Sequence, residues 1–456
     1  MSNLLRKPKA SATIKKENKY EIYKFTQNPF PKSPGVTIGG DDPRENGSIY
    51  YPEVVKSEEK RFEELLIPRK SNPETNPIVF LMDYTTRWGR GIGKTAFLNY
   101  QKNRICKDLG EELTGGDHVI FAVYVRPVPD EHYNRFWKIS KLIIKNLIEQ
   151  NIISTTMCRL RAFSGDIPDD ILDKVGEDLI ETLGNNDWLQ KNEINIKSLN
   201  NNIRRQLERL NLEPDLCEHL ARFGHNESHF RKYYFDNLTD SFWRKNENRL
   251  LFNDLIKVFF HAGFTRGIIL IDELEKVFPR LNRQERRIFV DSIRHYFIDG
   301  GSENTKKSFL GLLLTIHPYL QELMIPHWDA AGLDRFAALG GDSAHHYTIY
   351  FRPIPEKFAI PLAKIYIDAS RIPTEGLEAL YPFDEKALTL ALKISDNVPG
   401  KFLSFLHNVV EKAINEGAKR ITVEQVERIS KEVTPEEPEP DDSEDTLQPS
   451  KVKLKD

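Results

Sequence analysis

The chain has 456 residues, a length that suits about three structural units, with 39% hydrophobic and 10% aromatic side chains. Lysine and arginine total 65 against 68 aspartates and glutamates, a formal charge of −3. These figures exclude a wholly disordered chain and a globally basic nucleic-acid coat, so any contact with DNA or RNA must come from a local patch. Three cysteines, Cys106, Cys158 and Cys217, are too few for a disulfide framework or a four-cysteine zinc site. No run approaches the roughly 18–20 apolar residues of a membrane span, and the amino terminus turns basic by Arg6 instead of carrying an apolar signal core. The expectation is a soluble, cytoplasmic protein with no membrane contact.

Residues 1–50 read as a basic and irregular segment. Arg6, Lys7, Lys9, Lys15, Lys16 and Lys19 face a single acid up to residue 19, Glu17, and 28–53 is rich in proline, glycine, asparagine and aspartate. Five apolar runs follow, at 78–82, 119–125, 268–271, 309–315 and 347–351. Their length and their polar or turn boundaries predict buried parallel strands. Helical patterns fall between them, at 94–107 and 283–298, and the alternation predicts a doubly wound parallel α/β sheet over 51–354. From about 130 to 260 the pattern changes: Phe136, Ile139, Ile143 and Leu147 recur at helical spacing with few strand signals, which predicts a large helical insertion.

After 355 the pattern is helical to about 431. Phe402, Leu403, Leu406, Val409, Val410 and Ala413 form one stripe, and Thr422-Val423-Glu424-Gln425 reads as a capping box opening the last helix. Residues 432–445 hold eight acids interleaved with three prolines. Such a stretch cannot offset its ordering entropy by burial, so 432–456 is expected to be a solvated acidic tail.

The strongest chemical signal is Trp88-Gly89-Arg90-Gly91-Ile92-Gly93-Lys94-Thr95, between a predicted strand and a predicted helix. Glycines let successive backbone N–H groups converge on a phosphate without Cβ clashes. Lys94 supplies a mobile charge for the β- and γ-phosphates, and the Thr95 hydroxyl can join a Mg²⁺ shell. The predicted phosphate-binding set is Gly89, Gly91, Ile92, Gly93, Lys94, Thr95 and Ala96. The run departs from GxxxxGK[ST] at its first position, which holds Trp88 with Gly89 one place later. A second element is the apolar strand ending in Asp272-Glu273. With Thr95, Asp272 at the carboxyl end of a parallel strand can hold Mg²⁺ through water, and Glu273 can act as general base on an attacking water. No Asn-Lys-x-Asp of the guanine-reading kind follows and only one Walker-type loop is present, so ATP is expected over GTP and a two-lobed helicase is disfavoured.

On these residues the chain resembles an AAA+ ATPase over about 75–430. The branch it resembles holds origin-recognition ATPases, transposition regulators and phage-exclusion defence ATPases, by the Asn28-Pro29-Phe30-Pro31 segment and the FRPIP run that begins at Phe351. The resemblance implies a sensor-1 role for Thr315, and an arginine-finger role for Arg335, in Gly-Leu-Asp-Arg-Phe, acting in a neighbouring subunit of a homo-oligomer. It also implies a helical lid over 355–431. The lid lacks the usual Gly-x-x-Arg; Lys401, after Pro399-Gly400, is the basic residue nearest the sensor-2 position. An acidic tail stands where origin-recognition proteins carry a winged helix, and a large insertion separates Lys94 from Asp272.

Two functions follow from this reading. One is an ATP-hydrolysing regulator associated with duplex DNA in genome defence, transposition or replication. The other is a nucleotide-dependent signalling switch that binds a protein partner through the helical insertion, with little turnover and no DNA contact. Residues 204–249 mix nine basic residues, eight acids and seven aromatics, which reads either as a base-stacking surface or, with more weight, as a charged helical surface over an aromatic core. Cys217, His219, His225 and His229 fit no paired metal-ligand spacing.

Overall fold

The computed structural model describes residues 18–70, 75–83, 91–128, 131, 133–176, 178–222, 228–247, 253–299 and 309–432. The basic residues up to Lys16 and the acidic stretch beyond Glu432 lie outside them. The five apolar runs form strands β1 (Ile78–Asp83), β2 (Ile120–Val125), β3 (Arg266–Ile271), β4 (Leu310–Ile316) and β5 (Thr348–Phe351). They pair in parallel in the order β2-β3-β4-β1-β5. The α/β architecture expected from the alternation of apolar runs is therefore present.

Because side chains alternate along a strand, the register assigns each residue to one face. Ile78 and Phe80 share a face with Val123, Ile269, Leu312 and Leu314. Val79, Leu81 and Asp83 share the other with Tyr124, Leu270, Leu313 and Thr315. Helices cover both, which is why the strands are apolar throughout rather than alternating. On the first face Phe80 meets Trp328 of the helix Pro318–Ala330 edge-on at 5.3 Å, and Phe121 meets Phe259 of the helix Ile256–His261 at 4.7 Å. On the second, Phe97 of α2 (Lys94–Lys107) packs against Phe351 at 5.2 Å and against Phe62 of α1 (Lys56–Leu66) at 5.8 Å. This division follows from connectivity. The step from β1 to β2 runs across the sheet one way and the later steps run the other, so right-handed crossovers put their helices on opposite faces.

The chain divides into two compact units, 55–89 with 94–352, and 1–54 with 90–93 and 353–456. In the first, the insertion between β2 and β3 is helical among the described residues, including Phe136–Glu149, Ile152–Ala162, Ile196–Glu208, Pro214–Ala221 and Asp240–Glu247. Its apolar stripes join the first face of the sheet in one core that runs from Phe80 and Ile269 through Ile143, Met157 and Ile203 to Trp243. Inside it the buried Arg161 donates from Nη1 to the Leu183 carbonyl at 2.7 Å.

In the second unit the helices Ala359–Ser370, Glu385–Ile394, Pro399–Asn415 and Val423–Glu432 pack around Phe402, Leu406 and Val409. Tyr23, Phe25 and Phe30 are buried in the same core, so the irregular segment before residue 54 is packed against these helices. Of the predicted capping box, the Thr422 N–H donates to Gln425 Oε1 at 3.1 Å.

Candidate phosphate-binding site

Parallel sheets take ligands at the carboxyl ends of their strands, where neighbouring connections leave in opposite directions. Here the chain leaves β1 toward the β2 edge and leaves β4 toward the β5 edge, so that point lies between β1 and β4. Asp83 closes β1, Thr315 stands next to last in β4, and Asp272 follows the last residue of the adjacent β3.

Lys94 and Thr95 open α2 and reach this edge from above the second face. The Lys94 ammonium is ion-paired with the carboxylate of Asp83, a side chain with no exposure. Thr95 Oγ1 donates to Asp272 Oδ2 at 2.6 Å. The phenol of Tyr124 donates to the same oxygen at 2.9 Å, and the Glu273 N–H donates to Asp272 Oδ1 at 3.0 Å. Burial, then the charge of Asp272, pushes the Tyr124 phenol far above its ordinary value, so it remains a proton donor. Lysine, threonine and aspartate, distant in sequence, are thus joined in one polar network.

Glu273 sits at φ 53° and ψ 37°, the left-handed region that a non-glycine residue rarely occupies. Its carboxylate is gripped by Arg126, one residue past β2: Nε pairs with Oε2, and Nη2 donates to Oε1 at 2.8 Å. Lys276 Nζ lies 2.9 Å from Oε2. Thr315 is 1% exposed, and its hydroxyl has no hydrogen-bond partner among the described residues. An orphaned buried hydroxyl costs about 1–3 kcal/mol, which makes it a natural slot for a ligand atom or water.

The predicted phosphate loop is described from Gly91; Gly89, with Trp88 and Arg90, lies outside the described residues. Gly91 and Gly93 have φ of 85° and 102°, values that require glycine. The Gly91 carbonyl accepts from the Gly400 N–H at 2.7 Å, at the start of the helix Pro399–Asn415. Ile92 is buried and Ala96 lies in the first turn of α2.

Two predicted residues remain, Arg335 and Lys401. Arg335 lies on an exposed turn braced by the Trp328 indole, which donates to the Ala337 carbonyl at 2.7 Å, and it has no side-chain partner among the described residues. Lys401 is in the same unit as Gly91, and a Cβ on Gly91 would stand 3.4 Å from the Lys401 backbone nitrogen, while the Lys401 side chain turns to Asp396, with Nζ 3.3 Å from its carboxylate. In 204–249, Phe230, Tyr234 and Trp243 are fully buried, while Arg204 and Arg222 pair with Glu218 at 3.4 and 2.5 Å. The charged-surface-over-aromatic-core reading describes that stretch; Phe223 and Arg249 lie outside the described residues. Cys217 is buried, which pushes its thiol up to about 11. His225 is outside the described residues, among which no group of three or more His, Cys, Asp or Glu could hold a metal ion. Nor is any helix among them long and apolar enough to cross a membrane.

No protein-family model matches the chain, and no curated protein matches it. Among solved structures it is similar to the ORC2 protein of Aeropyrum pernix, determined in ADPNP and ADP complexes. The identity is 10%, the match covers 87% of this chain and 69% of that one, and the TM-score is 0.40. A likeness this distant assigns no function.

Sequence reasoning missed Asp83, Tyr124 and Arg126. For Asp83 and Arg126 a signal exists: each is the first polar residue after an apolar strand run, the position that faces ligands in a parallel sheet.

Proposed function

We propose that the chain binds ATP with Mg²⁺ and hydrolyses it as a regulatory ATPase of the AAA+ type, switching assembly or partner binding with nucleotide state. One observation carries this reading: the 2.6 Å hydrogen bond that joins Thr95, at the opening of α2, to Asp272, at the carboxyl end of β3. Lys94 beside it would exchange Asp83 for the β- and γ-phosphates, and Gly91, Ile92, Gly93 and Ala96 would supply backbone N–H donors. The Thr95 hydroxyl and the Asp272 carboxylate are hard oxygen donors, the kind Mg²⁺ takes. Bound there with the triphosphate, Mg²⁺ supplies charge neutralisation. Glu273 would orient the attacking water and accept its proton, and the orphaned Thr315 hydroxyl would hold a γ-phosphate oxygen or that water. Arg335, exposed and unpaired among the described residues, would serve a second copy of the chain, which makes the active form a homo-oligomer.

The test is Glu273→Gln. ATP binding is expected to persist while turnover falls by about 10²-fold or more. Undiminished turnover overturns the reading.

The finer assignment, action beside duplex DNA in genome defence, transposition or replication, rests on the sequence resemblance. The rival assignment, a switch that engages a protein partner through the helical insertion, is favoured by two observations there. The aromatics of 204–249 named above are buried rather than available for stacking. A recess of about 710 Å³ is lined by carboxamides, among them Gln190, Asn200 and Asn201, beside apolar Ile194 and Ile196 and the ion-paired Arg204, Arg222 and Glu218, a mixture that suits the main chain of a polypeptide. ATP turnover with and without duplex DNA, across a salt series, separates the two. DNA-stimulated turnover with steep salt dependence supports the first, and indifference to DNA supports the second.

A further inference from the structure

Asp272 is held on more sides than a metal-shell carboxylate requires. A carboxylate has about four acceptor positions. Three are filled: Thr95 Oγ1 and Tyr124 Oη both donate to Oδ2, at 2.6 and 2.9 Å, and the Glu273 N–H donates to Oδ1 at 3.0 Å. Tyr124 is 5% exposed, lies on β2, and shares the second face of the sheet with Leu270 of β3 by direct pairing, so its ring is fixed by packing. Its hydroxyl reaches Oδ2 across one strand spacing with nothing to move.

We propose that Tyr124 is a positioning residue that closes Oδ2 of Asp272 to direct metal ligation, so that the carboxylate keeps one open acceptor position, on Oδ1, and engages a nucleotide-bound magnesium chiefly through water and through the Thr95 hydroxyl. The inference rests on the nucleotide reading of the site given above. Its chemistry is that of the ion. Mg²⁺ sheds its waters reluctantly and favours sites that leave several in place, whereas larger divalent ions accept direct, irregular carboxylate ligation more readily. A carboxylate whose Oδ2 is already occupied by two hydroxyl donors therefore selects for Mg²⁺. Removing one donor reopens a lone pair on Oδ2, and the advantage passes to Mn²⁺. Outer partners of metal ligands commonly govern metal affinity by about 10–100-fold. Tyr124 touches neither nucleotide nor metal in this scheme and acts only through Asp272.

The experiment uses the full chain, a non-hydrolysable fluorescent ATP analogue, and titrations with Mg²⁺ and Mn²⁺. Free Mn²⁺ is read independently by electron paramagnetic resonance. Tyr124→Phe, which removes only the hydroxyl, is expected to leave metal-free binding of the analogue within about twofold and to shift the Mn²⁺-to-Mg²⁺ affinity ratio about tenfold toward Mn²⁺. In an Asp272→Asn background the same substitution should leave the ratio where Asp272→Asn alone put it, because the effect travels through that carboxylate. A structural disturbance would instead weaken analogue binding without metal and would add equally in both backgrounds. An unchanged ratio in Tyr124→Phe, or an equal shift in the Asp272→Asn background, overturns the proposal. Failure of the wild-type chain to bind the analogue at all overturns the nucleotide reading first and the inference with it.

Discussion

The carboxylate of Asp83 is the counter-ion of Lys94: a side chain with no exposure pairs with a lysine side chain that is 13% exposed. Asp83 ends β1 and Lys94 begins α2, so the two flank the phosphate loop.

A buried carboxylate stripped of its counter-ion is costly, and in the nucleotide-binding reading proposed above phosphate would have to draw Lys94 away from it. The pair would therefore oppose nucleotide binding. Asp83→Asn is expected to tighten binding of a fluorescent ATP analogue by about 5–10-fold, roughly 1–1.4 kcal/mol. The same change should lower unfolding free energy in urea without nucleotide by about 1–3 kcal/mol, since Lys94 then loses its partner. Weaker analogue binding would show instead that Asp83 assists the site.

Arg126 engages Glu273 with two guanidinium nitrogens, and Lys276 adds a third contact. In the general-base role proposed above, Glu273 so engaged would be turned from water toward cations. Arg126→Ala is expected to raise basal ATP turnover about 3–10-fold by freeing it, with the KM for ATP little changed. Steady-state kinetics decide this; a fall in kcat means that Arg126 aligns Glu273 productively.

Gly400 lies against Gly91 of the predicted phosphate loop. A Cβ there would stand 2.5 Å from the Pro34 carbonyl oxygen and 2.7 Å from Gly91 Cα, all backbone atoms that cannot swing aside. Gly400→Ala is expected to cost about 1–3 kcal/mol by overpacking and to weaken nucleotide binding by displacing Gly91. Calorimetric melting and analogue titration would both register it, and wild-type values in both would refute the close approach.

Acid should loosen the unit that holds the C-terminal helices. Burial works against ionisation of Glu411. Lys19 at 2.5 Å, Tyr20 at 2.6 Å and Asn28 at 3.0 Å more than offset that burial and hold the carboxyl below its usual range. A depressed carboxyl contributes stability that is fully present above its unfolded value and is lost as pH falls through the lower folded value. Because Glu411 is substantially solvated, the contribution is set at about 1 kcal/mol. Glu411→Gln should therefore destabilise the protein at pH 7, with the difference from wild type shrinking as the pH is lowered below the ordinary carboxylate range in a pH series of urea melts.

The five strands were legible because buried parallel strands are continuous apolar runs, and the meeting of Thr95 with Asp272, beside Lys94, was legible because the residue types and spacing that a phosphate site would need are restricted. Tyr124 was not. An aromatic residue inside a strand reads as core, and only the β2-β3 register reveals that its hydroxyl meets Asp272. The hold of Arg126 on Glu273 is equally a product of two strand ends meeting across the sheet. The burial of Tyr23, Phe25 and Phe30 escaped notice for a different reason: local composition marks irregular backbone but says nothing of the distant helices that receive it.

The shared core of sheet and insertion has a mechanical corollary. Val123, Ile269 and Leu312 lie in the same unbroken hydrocarbon as Met157, Leu216 and Trp243. Excising the insertion would lay a sheet face open to water, so it is a roof and not a detachable ornament. Close-packed interiors transmit strain instead of absorbing it. A load placed on that roof is consequently felt by strands whose far tips carry Asp272 and Thr315.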